Sequence, residues 1–131
     1  MFLDMGHTDV SEIDAMATRY GPWLSRKMEA GEYLGWLVVT SENRVAAGTG
    51  LWLMDWPPDV IGSGPRRGNI LNVYTAREFR RRGLARVLME TAAAWCRENG
   101  VDIVILHASP EGRALYDSMG FAASNEMRMR L

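Results

Sequence analysis

The 131-residue sequence predicts an α/β domain, in which helices cover a β-sheet. Apolar residues make up 47% of the chain and charged residues 24%, as in a globular protein rather than a disordered one. Segments rich in β-branched and aromatic residues are interspersed with segments whose apolar residues recur at helical spacing. No repeat or low-complexity linker divides the sequence, so we expect residues 1–131 to form a single domain.

The first part of the chain predicts a helix in two pieces. Asp9 followed by Glu12 resembles a capping box, and apolar residues then recur at helical spacing as far as Tyr20. A glycine followed by Pro22 interrupts this pattern. Because proline is favoured at the first position of a helix, we expect Pro22 to open a second piece that ends at Gly31.

Two strands are expected next, at residues 33–40 and 45–56, with a turn between them. The second strand is apolar on both faces, which means that both faces are covered or that one of them lines a site. Its alternating residues are Trp52, Met54 and Trp56 on one face and Leu51 and Leu53 on the other.

The second half of the chain predicts three further strands and two helices. Residues 101–106 form a continuous apolar run, which is typical of a strand covered on both faces. Residues 127–131 alternate Met, Arg, Met, Arg and Leu, which predicts a half-buried final strand. In chain order, the expected elements are a Gly/Pro-rich loop at 57–68, a strand at 69–75, a helix at 84–99, a strand at 101–106, a helix at 110–119 and a strand at 127–131.

The formal net charge of −1 is unevenly distributed. Residues 1–65 carry nine acids and four bases, a balance of −5, whereas residues 66–131 carry seven acids and eleven bases, a balance of +4. A positive C-terminal half suits a polyanionic ligand, and the acidic half could face a cationic partner. The chain as a whole is too neutral for a general nucleic-acid-binding domain, so we expect no nucleic-acid partner.

The single cysteine, Cys96, excludes a disulfide framework within one chain and a multi-cysteine zinc site, and no metal is expected. One cysteine also fits a reducing cytosol. No apolar run approaches the ~20 residues of a membrane span. Four acids within residues 1–15 are unlike a signal peptide. We therefore expect a cytoplasmic protein that does not engage a membrane.

The segment 72–86 carries most of the functional information. A strand leads into a basic turn, and the turn opens directly into a long amphipathic helix. At such a helix start, unpaired backbone N–H groups and the positive end of the helix dipole form an anion site. Gly83 and Ala85 are small enough for a phosphate to approach the backbone. The surrounding bases are Arg80, Arg81, Arg82 and Arg86. A helix start with a solvated basic rim would show the same pattern.

Two motifs resemble those of the GNAT acetyltransferase superfamily. Arg80-x-x-Gly83-x-Ala85 matches its acetyl-CoA signature, Arg/Gln-x-x-Gly-x-Gly/Ala. Residues 109–121 resemble its later helix, which ends in Leu-Tyr-x-x-x-Gly-Phe. One departure is Ser109, where many relatives carry Asn. Residues 69–131 follow the family pattern almost throughout.

The resemblance implies a mixed, mainly antiparallel sheet with helices on both faces. Relatives begin with an edge strand and a first helix, and residues 1–8 are too few for both. Three explanations stay open: an abridged variant, a truncated gene model, or a domain that replaces the missing strand by self-association. The missing strand would have covered the outer edge of the uncharged strand at 33–40, and an open edge invites pairing. We therefore expect a homodimer with its contact near that strand.

The resemblance also implies that acetyl-CoA binds between two splayed strands, with its pyrophosphate on the backbone amides of residues 81–86. The pantetheine arm would complete the sheet through the backbone of Val73 and Thr75. The residues expected at the cosubstrate are Val73, Thr75, Arg80, Arg81, Arg82, Gly83, Leu84, Ala85, Arg86 and Ser109.

The implied reaction is N-acetylation, in which the primary amine of a small molecule or a protein attacks the thioester directly through a tetrahedral intermediate. Tyr116 matches the tyrosine that protonates the departing thiolate, although a tyrosine there could also serve only in packing. A phenol of pKa ~10 and a thiol of pKa ~8.5 are close enough for proton transfer.

The general base stays open, because Asn69 occupies the position where some relatives carry Glu. The candidates are Tyr74, Asp55, Asp59 and Glu32.

Aromatic and acidic side chains before the 57–68 loop suit a cationic amine acceptor. They are Trp52, Asp55, Trp56 and Asp59. The same tryptophans could instead cover a sheet face beside solvated carboxylates.

Two other residue types have structural interpretations. We expect His107 to be a hydrogen-bonded core residue and Cys96 to pack as a small apolar residue.

Two alternative functions remain. One is a non-catalytic CoA-binding regulatory domain, and the other, ranked last, is a nucleic-acid-binding module based on the arginines at 80–82.

Overall fold

The computed structural model describes residues 10–58, 60–62 and 64–131. Asp9 of the predicted capping box and the candidate base Asp59 lie outside what it describes. In chain order the elements are α1 (Val10–Glu29), β1 (Tyr33–Val39), β2 (Val45–Asp55), β3 (Arg66–Thr75), a 3₁₀ turn (Arg77–Phe79), α2 (Leu84–Glu98), β4 (Val104–Leu106) and α3 (Arg113–Ser118).

The four strands form one sheet in the order β1-β2-β3-β4. The first three are antiparallel neighbours, and β4 pairs parallel to β3. Side chains alternate across a strand, so Leu51 and Leu53 point to one face and Trp52 to the other. Leu51 and Leu53 pack on α2 and α3, whereas Trp52 packs on α1. The prediction of a mixed, mainly antiparallel sheet with helices on both faces is confirmed.

The main core lies between the sheet and α2. Its buried members are Leu51, Leu53, Ile70, Met89, Ala92, Cys96, Val101 and Tyr116. Gly68 of β3 lets α2 approach closely, because a Cβ there would lie 2.7 Å from Leu51 Cδ1 and 3.5 Å from Cys96 Sγ. The predicted packing role of Cys96 is therefore confirmed.

The opposite face of the sheet carries an aromatic cluster beneath α1. The Trp23 ring lies 5.7 Å from Tyr20, 6.3 Å from Tyr33 and 5.3 Å from Trp52, measured between ring centroids. These contacts explain why α1 is one continuous helix with Pro22 inside it, where the sequence predicted a break. Packing on either side of the proline holds the helix together despite the lost backbone hydrogen bond.

Other boundaries differ from the sequence prediction. β3 begins at Arg66 rather than at 69, β4 is shortened to Val104–Leu106, and α3 begins at Arg113 rather than at 110. The predicted strand at 127–131 is wrong for the single chain. Apolar and charged residues do alternate in this segment, but no strand among the described residues pairs with it. A β-strand is defined by its hydrogen bonds to a neighbouring strand.

The close packing of Tyr33 on Gly50 gives a test of the sheet register. Gly35 and Gly50 are cross-strand partners, but a Cβ at Gly50 would overlap the Tyr33 hydroxyl, whereas one at Gly35 would meet only the Thr49 carbonyl, at 3.8 Å. We expect Gly50→Ala to lower the free energy of unfolding by about 1–3 kcal/mol, as overpacking does. Gly35→Ala should be nearly neutral. Urea denaturation measures both, and equal effects would contradict the register.

Burial of Tyr33 predicts an alkaline loss of stability. Burial raises the pKa of its hydroxyl from 10.0 to about 12, so the unfolded chain releases this proton before the folded one does. The free energy of unfolding should therefore fall as the pH rises from 10 toward 12. Tyr33→Phe should make this fall shallower, as measured by urea unfolding at about pH 9 and about pH 11. Identical falls in both proteins would refute it.

Candidate active site

The strands β3 and β4 part after three paired residues. Residues 68–70 of β3 pair with Val104–Leu106, and β3 then continues through residues 71–75 with β2 on one side only. The edge of β3 that faces β4 is therefore open from residue 71 onward. Val73 and Thr75, which the sequence places at the cosubstrate, both lie on this open stretch.

A β-bulge lies within the same stretch. Gly50 pairs with Leu71 and Gly48 pairs with Tyr74, so Thr49 faces two residues of β3, Asn72 and Val73. Asn72 has a φ of 59°, in the left-handed region. A bulge bends the strand and redirects the residues next to it, and bulges occur often beside active sites. The bulge was not predicted from the sequence, although an asparagine inside a strand is a signal for one.

The Asn72 side chain ties the bulge to the aromatic cluster. Its amide nitrogen donates to the Tyr20 hydroxyl on α1 and, at 3.3 Å, to the Tyr33 hydroxyl on β1. Three elements, α1, β1 and β3, therefore meet at one side chain. This contact holds the bulge in position relative to the face that carries Trp52.

The start of α2 lies beside the open end of β3. Gly83 is its N-cap residue, with φ 73° and ψ 15°, and no side chain caps the helix. Within the described residues, none of the backbone amides of 84–86 donates to another backbone group. No atom lies within 4 Å of a Cβ built at Gly83, so the approach to these amides is open. The free backbone amides and the open space at Gly83 have the geometry that the predicted anion site requires.

A cavity of about 210 Å³ occupies this corner. It is lined by Thr75, Phe79, Arg80, Arg81, Gly83, Leu84, Ala85, Arg86 and Leu115. Its charged lining residues are all arginines, which suits a polyanion. The structure thus brings together most of the residues predicted to bind the cosubstrate.

Three of the four arginines make defined contacts. Arg80 Nε donates to the Thr75 carbonyl at 3.0 Å, which ties the turn to the end of β3. Arg86 donates to Ser118 Oγ at 2.6 Å, which links α2 to α3. The Arg82 guanidinium lies 5.4 Å from the centroid of the Phe79 ring. These contacts order the basic turn around the helix start.

Tyr116 lies on α3, next to the cavity residue Leu115. Its side chain is buried and its ring meets Phe121 edge-on at 5.9 Å. Burial raises the pKa of the Tyr116 hydroxyl above 10.0, so the group is protonated at neutral pH and can donate a hydrogen bond. The ring packs over Gly112, where a Cβ would lie 3.0 Å from the hydroxyl oxygen.

A second cavity, of about 480 Å³, adjoins Tyr116 beyond the end of β4. Leu106, Ala108 and Phe121 also line it. Tyr116 therefore borders this cavity, and its neighbour Leu115 lines the cavity at the start of α2.

Ser109 has a structural role at the start of α3. Its hydroxyl accepts a hydrogen bond from the Gly112 N–H at 3.1 Å, and its carbonyl accepts from the amides of Gly112 and Arg113, both at 3.1 Å. These bonds fix the turn that carries Tyr116. The predicted contact of Ser109 with the cosubstrate stays a prediction.

Two of the base candidates are held away from the open edge or occupied elsewhere. Asp55 pairs with Arg66 on β3. Because Arg66 lies seven residues before Val73 on that strand, Asp55 is roughly 20 Å from Val73. Glu32 forms an ion pair with Lys27 at 2.8 Å. Tyr74 adjoins the bulge.

The two tryptophans expected at the acceptor, Trp52 and Trp56, make separate contacts. Trp56 follows Asp55 at the far end of β2, where Arg67 lies 4.1 Å from the centroid of its ring. Trp52 covers the sheet face against Trp23, as the structural interpretation of the tryptophans expected. Asn69, at the position where some relatives carry Glu, donates to the sulfur of Met54 at 3.7 Å.

His107 is not a core residue, contrary to the prediction. β4 ends at Leu106, so His107 lies beyond the strand with 65% of its side chain exposed, 3.5 Å from Glu126.

Among residues 10–58, 60–62 and 64–131, no three potential metal-ligating side chains form a cluster. None of the helices described is long and apolar enough to cross a membrane.

The GNAT acetyltransferase family model matches residues 7–121. A GCN5-related N-acetyltransferase from Ralstonia eutropha JMP134 is 33% identical, with 100% of this chain and 85% of that chain covered and a TM-score of 0.91. A predicted acetyltransferase with acetyl-CoA from Clostridium acetobutylicum is 25% identical over 99% of this chain and 82% of that one, with a TM-score of 0.86.

Glucosamine-6-phosphate N-acetyltransferase from Arabidopsis thaliana shares the fold. It is 18% identical over 86% of this chain and 76% of that chain, with a TM-score of 0.71. No curated protein sequence matches the chain. The family match over residues 7–121, the likeness to the Ralstonia protein and the open sheet edge beside the α2 start agree, and the chain belongs to the GNAT family of acetyltransferases, which use acetyl-CoA.

Proposed function

We propose that the protein is an acetyl-CoA-dependent N-acetyltransferase whose acceptor is a primary amine on a small molecule or a protein. One observation carries the proposal: the uncapped start of α2 lies beside the stretch of β3 that β4 leaves unpaired. The Clostridium relative, whose structure was determined with acetyl-CoA, supports the choice of cosubstrate. The buried free thiol of Cys96 suits the cytoplasm, which we propose as the compartment.

The residues present fit acetyl-CoA. The amides of residues 84–86 and the open approach at Gly83 suit its pyrophosphate, and the exposed Arg81 and Arg82 suit its remaining phosphate charge. The backbone of Val73 and Thr75 lies on the sheet edge that a pantetheine arm would extend. When bound, the cosubstrate supplies an acetyl thioester for direct attack by the amine.

Tyr116 is the proposed proton donor to the departing thiolate. Its raised pKa keeps the hydroxyl protonated at neutral pH, so the hydroxyl can donate a hydrogen bond to the thiolate. The anchored turn at Ser109 and the contact with Phe121 hold the ring in place. A fixed, protonated phenol at the end of β4 is suited to this single proton transfer.

The acceptor amine would approach on the side of the bulge that carries Asn72. The hydroxyls grouped there belong to Tyr20 and Tyr33. With a pKa of about 12, Tyr33 does not remove a proton at neutral pH, so it would orient the amine or a water molecule. In this proposal, solvent accepts the proton of the amine.

The alternative is a CoA-binding domain without turnover. It is favoured by the engagement of Glu32 with Lys27 and by the distance of Asp55 from the bulge. Thiol release from acetyl-CoA in the presence of a panel of amines separates the two functions. Binding without release for any amine would support the alternative.

Gly83→Glu should abolish CoA binding and leave the domain folded. The carboxylate would put negative charge where the pyrophosphate approaches, and calorimetry measures the affinity. Gly100→Glu is the matched control, because Gly100 lies beyond the other end of α2 with φ 74° and equally open space. The backbone strain is then the same in both variants. Equal loss of affinity in the two, or unchanged affinity in Gly83→Glu, would show that the phosphates bind elsewhere.

Tyr116→Phe should lower kcat by about 10²–10⁴-fold, as loss of a general acid does, while CoA affinity stays nearly unchanged. Only the hydroxyl is removed, so the packing of the ring on Phe121 is kept. Thiol release measures kcat once an acceptor amine is identified, and calorimetry measures the affinity. Full turnover in this variant would refute the proton-donor role.

A further inference from the structure

One row of side chains crosses all four strands on the α1 face of the sheet. Tyr33 pairs with Trp52, and Trp52 pairs with Asn69. Asn69 in turn pairs with Ile105 of β4. Paired residues of neighbouring strands point to the same face, and α1 covers this one because Trp52 packs on Trp23. None of the four residues in the row carries a charge.

Leu71 lies on the same face, at the point where β4 stops pairing. It follows Asn69 by two residues, so it shares the face of Asn69, and it is the first residue of the open stretch of β3. The opposite face is closed here, since Val73 packs against the core between the sheet and α2. An acceptor amine therefore reaches the gap from the α1 face, past Leu71.

The side chains around this approach are apolar or aromatic. Trp52, Leu71 and Ile105 are each half-buried, so part of each faces solvent. From α1, Tyr20 and Trp23 face the same region, with their ring centroids 5.7 Å apart. We call these five residues the apolar patch. Hydrocarbon or aromatic surface of an acceptor would gain affinity by covering it.

The polar side chains on this face hydrogen-bond one another. The Asn72 amide donates to the hydroxyls of Tyr20 and Tyr33. The Asn69 amide donates to the sulfur of Met54 at 3.7 Å. A hydroxyl-rich acceptor such as an amino sugar requires several donors and acceptors from its site, because each polar group that loses water without a new partner weakens binding. A hydrocarbon substituent requires none.

The charges near the apolar patch do not suit an acceptor with a second positive charge. Arg67 precedes Asn69 by two residues on the same face of β3, with its guanidinium 4.1 Å from the centroid of the Trp56 ring. The carboxylate of Glu32 is paired with Lys27. A cation on this face repels a polyamine, and a carboxylate that already has a partner attracts one only weakly.

We propose that the acceptor is a monoamine whose amino group is joined to an aromatic ring by a short alkyl chain. This inference rests on the proposed N-acetyltransferase function. The nitrogen would lie at the gap beside Leu71, and the ring would lie over Trp52 and Ile105. The two positions are two residues apart along the strands, roughly 7 Å, which a ring with a two-carbon chain can span.

The reaction at this position balances without a further reagent. The amine nitrogen bonds to the acetyl carbon and loses a proton to solvent, while the carbon–sulfur bond breaks. The departing thiolate takes the proton of the Tyr116 hydroxyl, which solvent then restores. The apolar patch takes no part in these steps, so its effect is on which amine is held at the gap.

The first test compares thiol release from acetyl-CoA with phenylethylamine, spermidine and glucosamine as acceptors. We expect kcat/KM for phenylethylamine to exceed that for each of the others by at least about tenfold, the scale of selectivity that a hydrophobic contact provides. A higher kcat/KM for spermidine or glucosamine would overturn this inference and leave the N-acetyltransferase function standing.

Tryptophan fluorescence measures binding of phenylethylamine separately, in the presence of CoA, because Trp23 and Trp52 belong to the apolar patch. Saturable binding without thiol release would support the patch as a binding site and refute the proposed acetyl transfer. Neither binding nor release would overturn both proposals.

Leu71→Gln tests the patch directly. We expect the ratio of kcat/KM for phenylethylamine to that for methylamine to fall by about tenfold, because methylamine has no substituent to cover the patch. Leu37→Gln is the matched control, since Leu37 lies on the same face of the sheet, 65% exposed on β1 and outside the patch, and it should leave the ratio unchanged.

A general structural defect would lower kcat/KM for both amines and leave their ratio unchanged. Ile105→Thr keeps a β-branched side chain in β4 and is a second variant, for which the ratio should also fall. Circular dichroism checks that each variant is folded. An unchanged ratio in the folded variants would overturn the proposal.

Discussion

The structure depends on a sheet that is left incomplete. Backbone N–H and C=O groups must find partners, and a sheet normally supplies them along the whole length of a strand. Here β4 pairs with only three residues of β3, although β3 continues for five more. The open stretch contains the bulge at Asn72 and ends where Arg80 holds the Thr75 carbonyl. The uncapped start of α2 lies beside this gap, and the buried Tyr116 follows Leu115, which lines the cavity there.

The sequence predicted the parts of the site that depend on local chemistry. The Arg80-x-x-Gly83-x-Ala85 motif located the α2 start because a glycine at the helix start and a basic turn are local signals. Contacts distant in sequence were not predictable in this way. Aromatic packing keeps α1 continuous through Pro22, and the ladder register, not composition, separates Asp55 from Val73. Residues 127–131 have the pattern of a strand, but pairing depends on a partner that the pattern does not identify.

The most direct test of the central claim is amide hydrogen exchange with and without acetyl-CoA. If the cosubstrate binds along the gap, the slowed amides will lie in two stretches, residues 71–75 of β3 and residues 84–86 at the start of α2. These stretches are separated in sequence and meet only at this corner of the fold. Slowing confined to other parts of the chain, or no slowing at saturating acetyl-CoA, would contradict the account.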